Sequence, residues 1–154
     1  MTRLLLAASS LLLLGSVQAQ EVSPTAGERI SHIGGCHDCH TPGFAESGGV
    51  LDPEMALIGN PVGYQGPWGT TYAANLRITA DGMSEDDWVT YMQTIESRPP
   101  MPWFNLHHFT EDESRALHQY IVSLGDVGEP APAYVPPDGT VETPFVVMVP
   151  QMPE

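Results

Sequence analysis

Apolar side chains recur at helical spacing in three stretches of the chain, and the first stretch predicts a short helix. Ser23 or Thr25 can cap its N-terminus, and Ile30 and Ile33 supply one apolar face. The pair Gly34-Gly35 follows that face and lets the backbone come close to a neighbouring group.

The two later stretches predict longer helices. One runs from about Glu85 to Ser97 and begins with a capping-box-like pattern at Ser84 and Asp87. Its apolar face holds Trp88, Met92 and Ile95. The other begins at a capping box formed by Thr110 and Glu113 and ends at Gly125, with Leu117, Tyr120, Ile121 and Leu124 on one face. His118 lies on this helix and is interpreted as a surface or partly packed residue.

The remaining chain lacks helical periodicity. Residues 41–74 are rich in Gly and Pro and are expected to form a loop with at most one helical turn, near Pro53 to Ile58. Residues 126–154 contain seven prolines and are expected to form an extended tail. The apolar patch Phe145–Val149 in that tail must either pack on the domain or meet a partner.

The N-terminus reads as an export signal. Arg3 precedes an apolar run from Leu4 to Leu14, and small residues follow up to Ala19. We therefore expect a signal peptide over residues 1–19, a mature chain from Gln20 and a periplasmic or secreted location. The alternative is a membrane anchor, although the run is shorter than the ~20 residues of a spanning helix. No other stretch is apolar enough to span a membrane.

The expected mature chain is strongly acidic. It has no lysine, and four arginines against 19 acidic residues leave a net charge of −15. Such a chain is not expected to bind nucleic acid, because the phosphate backbone would repel it. The charge either steers basic partners toward the protein or serves solubility alone.

The clearest chemical signal is the segment Cys36-His37-Asp38-Cys39-His40, which has the C-x-x-C-H pattern of c-type haem attachment. The two thiols can add to the two vinyl groups of one haem, and the histidine that follows supplies an axial nitrogen to the iron. His37 and Asp38 are interpreted as spacer residues. The site therefore predicts one covalent haem c.

Other uses of two cysteines fit less well. A thioredoxin-like pair belongs in an alternating strand and helix pattern, which this chain lacks. A structural zinc site needs four ligands, and there is no second cysteine pair. A disulfide, common in exported proteins, would leave His40 unexplained.

Met101 is the preferred second iron ligand. It lies between Pro100 and Pro102, which restrict the loop before folding and so reduce the entropy lost on ligation. His107 and His108 are the main rivals, and an open sixth site is the remaining possibility. The other methionines of the expected mature chain, Met55, Met83, Met92, Met148 and Met152, are less favoured as ligands.

Four residues at or just after the end of the loop 41–74 are candidates for contacts with the haem propionates. Trp68, Tyr72 and Asn75 can donate hydrogen bonds, and Arg77 can offset the propionate charge. The alternative for each is an ordinary loop residue.

These segments together resemble a class I, monohaem cytochrome c over roughly residues 24–125. The attachment motif, the proline-flanked Met101 and the closing helix that ends in Tyr120–Gly125 carry the resemblance. The segments Trp68–Leu76 and Pro100–Trp103 are similar to those of cytochromes that serve bacterial periplasmic dehydrogenases.

The resemblance implies an all-α fold, with three to four helices around one covalently bound haem. It implies His40 and Met101 as the axial pair and Pro53 as the residue whose carbonyl accepts from the axial histidine. Lysines that mitochondrial members present are missing here, and Arg77-Ile78-Thr79 replaces the usual Thr-Pro-Asp after Asn-Leu.

The sequence therefore predicts a cytochrome c domain over residues 20–125, followed by the proline-rich tail. Its expected function is single-electron transfer between redox protein partners, either as a free shuttle or as a subunit of a periplasmic dehydrogenase, and not catalysis. The alternative is a haem enzyme or sensor with an open or labile sixth site.

Overall fold

The computed structural model describes residues 21–126 and 128–153. The predicted signal peptide, residues 1–19, lies outside this part of the chain, as do Gln20, Val127 and Glu154. The described elements are α1 (Pro24–Ile33), α2 (Cys36–His40), β1 (Gly63–Gly66), β2 (Gly69–Thr71), α3 (Leu76–Asp81), α4 (Glu85–Thr94), a 3-10 helix (Trp103–His108), α5 (Glu111–Ser123) and β3 (Phe145–Val147). Within the described ranges, no helix combines the length and the apolar character that a bilayer crossing requires.

The three predicted helices are confirmed, and their caps explain where they begin. The Ser23 hydroxyl accepts from the Ala26 amide at the start of α1. Ser84 caps α4, which ends at Thr94 rather than at the expected Ser97. Thr110 and Glu113 form the capping box of α5, each accepting from the other's backbone amide.

The first and last helices cross at a very close contact. A Cβ atom at Gly27 of α1 would lie 1.9 Å from the Ala116 carbonyl oxygen and 2.7 Å from the Tyr120 Cβ of α5. Only glycine permits this approach. The crossing is the centre of a core whose buried members are Ile30, Leu57, Ala80, Trp88, Met92, Ala116, Leu117, Tyr120 and Ile121.

The prediction of an all-α fold is wrong, because the chain contains a three-stranded mixed sheet in the order β2-β1-β3. The antiparallel hairpin of β1 and β2 pairs Gly66 with Gly69 and turns through Pro67 and Trp68. The strands are three or four residues long and rich in glycine, so they show no alternation of apolar and polar side chains. Strands β1 and β2 lie within residues 41–74, the segment that was expected to be loop, and β3 lies in the tail.

The proline-rich tail is folded back on the domain. β3 pairs in parallel with β1, with Tyr64 opposite Val146. Val135 bridges Thr70 through two backbone hydrogen bonds of 2.7 and 3.0 Å. The apolar patch Phe145–Val149 therefore does pack on the domain through its backbone, whereas its side chains stay exposed.

Candidate cofactor site

The attachment segment forms a single tight helix, α2, that leaves α1 through two glycines. Gly35 has a φ of +70°, a conformation that glycine adopts without strain. A Cβ atom on Gly34 would lie 3.2 Å from the Phe109 ring and 3.7 Å from the Cys36 sulfur. The glycine pair thus keeps the space beside the first thiol open.

The two cysteines are free thiols that line one cavity. Burial raises the pKa of the Cys36 thiol to about 11. Cys36 is therefore a protonated thiol at neutral pH. The Tyr64 hydroxyl lies beside Cys39, and burial, with that thiol, raises the pKa of Tyr64.

His40 presents one ring nitrogen to the cavity. Its Nδ1 lies 2.7 Å from the Ala74 carbonyl oxygen, which can only accept, so the proton resides on Nδ1 and the lone pair on Nε2. Burial lowers the pKa of His40, which keeps the ring neutral, and the bond to Ala74 opposes this effect in part. A neutral imidazole with a fixed tautomer is what an axial metal ligand requires.

The carbonyl that fixes His40 belongs to Ala74, so the implied role of Pro53 is wrong. The Pro53 carbonyl accepts instead from the Arg77 guanidinium at 2.7 Å. The physical reason is that Ala74 lies beside His40 of α2, whereas the Pro53 carbonyl is already bound by the Arg77 guanidinium.

The cavity has a volume of about 440 Å³, within the ~300–1,000 Å³ typical of cofactor pockets. α2 and the loop before the 3-10 helix contribute His40 and Met101 to its lining. Helices α4 and α5 and the 3-10 helix contribute the apolar members Trp88, Tyr91, Met92, Leu106 and Leu117. The lining is thus mainly apolar, with a few polar groups and sulfur atoms.

Met101 and its rivals occupy different positions. Met101 is half-buried on its proline-flanked loop and lines the cavity. Met92 also lines it but is buried within the α4 core face. His107 is exposed, and its Nε2 lies 2.9 Å from the Ile95 carbonyl oxygen. Of these two lining methionines, Met101 is therefore the one whose side chain is not buried in the core.

Of the four candidates for propionate contact, Tyr72 is in the cavity lining and Trp68, Asn75 and Arg77 are not. Tyr72 lines the cavity, although its hydroxyl is 2.6 Å from the Thr143 hydroxyl of the tail. Asn75 caps α3, and its amide donates to the Glu129 carbonyl. The Trp68 indole donates to the Tyr64 carbonyl at 3.4 Å.

Arg77 has a structural role that the sequence did not reveal. Its guanidinium is buried and donates to the five backbone carbonyls of Pro53, Glu54, Ala56, Leu124 and Asp126. It therefore ties the long loop to the end of α5 and lies outside the cavity lining. Arg98, which was not predicted as a site residue, is the arginine in that lining.

His37 is fully buried and is more than a spacer. Its Nε2 lies 2.9 Å from the Ser31 hydroxyl, and its Nδ1 lies 2.8 Å from the Thr41 hydroxyl. The Ser31 hydroxyl donates to the Glu28 carbonyl, and the Thr41 oxygen accepts from the Leu57 amide. These bonds are all satisfied when His37 is neutral with its proton on Nε2. Burial, with the nearby His32 and His40, lowers the pKa of His37 to about 4.

The tail contributes part of the cavity wall through Pro132 and Tyr134. Gly69 is the sequence signal that could have indicated this contact, because glycine in a strand often marks the close approach of another backbone. A Cβ atom at this position would lie 2.4 Å from the Val135 carbonyl oxygen. The spacing of Trp88 and Met92 indicated a core face, and both residues serve that core and the cavity together.

The residues fit a haem better than they fit a simple metal ion. In residues 21–126 and 128–153, no three His, Cys, Asp or Glu side chains are grouped to share one ion. A haem brings four ring nitrogens to its iron, so two protein ligands suffice, and the lining offers the His40 imidazole and the Met101 thioether. The same lining contains the Cys36 and Cys39 thiols, which could bond to the two vinyl groups of a haem.

No family model, curated protein or solved structure matches this chain. Its function is therefore inferred from its own residues.

Proposed function

We propose that this protein is a periplasmic electron carrier with one covalently attached haem, held through Cys36, Cys39, His40 and Met101. The observation that carries the proposal is the convergence of two thiols, an imidazole with a fixed tautomer and a thioether on one mainly apolar cavity. When bound, the haem iron supplies a centre that exchanges one electron between its ferric and ferrous states.

The protein's own residues then have defined tasks. Each thiol would add across a vinyl double bond, with sulfur on one carbon and hydrogen on the other, so that the attachment consumes no oxidant. The Ala74 carbonyl accepts from His40 Nδ1 and leaves the Nε2 lone pair available, so His40 would hold the iron through Nε2. The apolar wall excludes water and, together with thioether ligation, favours a high reduction potential.

Two filled axial sites favour a carrier over an enzyme. With His40 and Met101 as its two protein ligands, a bound haem iron would have no position left for a substrate, so the group would supply electron transfer alone. The partners of such a carrier are redox proteins, and a periplasmic dehydrogenase subunit is the donor that the sequence resemblance suggests. The net charge of the chain, −14, favours basic docking surfaces.

The Met101→Ala variant tests this proposal. Its haem should remain attached through Cys36 and Cys39, whereas the weak sulfur-to-iron absorption of the ferric form should disappear and the reduction potential should fall. Met55→Ala, outside the cavity lining, is the matched control and should retain both properties. A Met101→Ala protein with an unchanged band and potential would show that Met101 does not bind the iron.

A further inference from the structure

Arg98 lies at the mouth of the cavity and stands out by its charge. It is exposed to solvent and belongs to the cavity lining. That lining includes no Asp or Glu, although the chain has 19 of them. The cavity therefore offers one full positive charge at its mouth in an otherwise acidic protein.

The other described arginines have different surroundings. Arg77 donates to backbone carbonyls, and Arg115 pairs with Glu85 and Asp86 on the adjacent helix. Arg29 is exposed on α1. Within residues 21–126 and 128–153, Arg98 forms no ion pair with a carboxylate of the protein.

The tail holds the Arg98 side chain in place. Its guanidinium carbon lies 3.9 Å from the centroid of the Tyr134 ring, a cation–π contact. The Tyr134 hydroxyl donates to the Trp68 carbonyl at 2.8 Å, and the following residue, Val135, bridges Thr70. The ring is therefore fixed on the sheet.

Stacking uses the face of the guanidinium and leaves its edge free. The N–H groups lie in the guanidinium plane and form a fork that matches the two oxygens of a carboxylate. A haem carries two propionate carboxylates at one edge. We propose that Arg98, oriented by Tyr134, binds a carboxylate of the cofactor at the mouth of the cavity.

This inference rests on the proposed haem, and it gives the tail a part in the cofactor site. A carboxylate beside Arg98 is held ionised to lower pH, because the positive charge favours its charged form. Removal of Arg98 should therefore destabilise the ionised carboxylate and raise its pKa, and it should stabilise the more positive ferric state and lower the reduction potential.

The test measures the reduction potential of the isolated holoprotein as a function of pH in Arg98→Met and in Arg29→Met. Both variants lose one positive charge from an exposed arginine, so Arg29→Met controls for net charge. In Arg98→Met, we expect the pH-dependent step in the potential to move up by about 1 pH unit. Arg29→Met should leave that step in place, and Tyr134→Leu, which frees the guanidinium, should shift it by a smaller amount.

The outcomes separate this inference from the proposed function. Acid-acetone extraction of each variant first establishes whether a covalent haem is present, and its absence would end both proposals. If haem is present but Arg98→Met and Arg29→Met behave alike, Arg98 binds no cofactor carboxylate. A change confined to the rate of electron exchange with a partner, at constant potential, would assign Arg98 to a carboxylate of the partner and would also overturn the inference.

Discussion

At the scale of single residues, the segment Cys36–His40 shows how one side chain can serve folding while its neighbours line a cavity. Cys36, Cys39 and His40 line the cavity, whereas His37 points away from it into a buried network with Ser31 and Thr41. The network joins α1, α2 and the loop that carries Leu57. His37 thus fixes the short helix from which the proposed ligands project.

The His37→Leu variant should lower the free energy of unfolding at neutral pH by about 1–3 kcal/mol, because it leaves the Ser31 and Thr41 hydroxyls without their partner. Chemical denaturation monitored by circular dichroism measures this change. His108→Leu, on the exposed 3-10 helix, is the control and should change the free energy by no more than about 0.5 kcal/mol. Equal losses in the two variants would contradict the role of the network.

The same variant should also change the pH dependence of stability. Because the pKa of His37 falls to about 4 in the folded protein from 6.5, the unfolded chain binds a proton first as pH is lowered. The wild type should therefore lose up to about 3 kcal/mol between pH 6.5 and pH 4 through this residue. His37→Leu should lack this loss, which appears as a flatter stability curve; parallel curves would contradict it.

At the scale of elements, the sequence predicted the helices well because caps and apolar periodicity are local signals. Ser23, Ser84 and Thr110 cap α1, α4 and α5 as their positions indicated. The strands escaped prediction because a tail segment, distant in sequence, completes their sheet. Helix α3 escaped because it is only six residues long, and its cap, Asn75, had been interpreted as a haem contact.

The crossing of α1 and α5 offers a sharp test at this scale. Gly27→Ala would force a methyl group into the Ala116 carbonyl, and we expect a loss of about 1–3 kcal/mol or more in the free energy of unfolding. Gly82→Ala is the control, since its nearest neighbours would be 4.0 Å away in a helical conformation. That control should be neutral or stabilising by up to about 1 kcal/mol. A tolerated Gly27→Ala would mean that the helices cross less closely.

At the scale of the whole molecule, the tail and the domain form one unit. The sequence predicted that two thiols, an imidazole and a thioether share one site, because the motif is local and the prolines mark Met101, and these side chains do line one cavity. It did not identify Arg98 or Tyr134, because a contact between residues 36 positions apart, one of them in the tail, leaves no periodic trace. The tertiary structure therefore determines a part of the cavity lining that the motif alone does not predict.

Truncation after Gly125 should keep the haem attached but remove part of the cavity wall, including Pro132 and Tyr134. We expect lower thermal stability and easier displacement of the sixth ligand by added imidazole, both measured on the purified holoprotein. Truncation after Val149 retains β3 and the Arg98 contact and should behave as the full chain does. If both truncated proteins match the full chain, the tail is dispensable.

The most direct test of the central claim is the mass of the purified polypeptide after acid-acetone extraction under denaturing conditions. The account predicts that the chain retains the added mass of one haem, and that a Cys36→Ser, Cys39→Ser double variant does not. A wild-type chain that loses its haem to the organic phase, or carries none, would contradict the account.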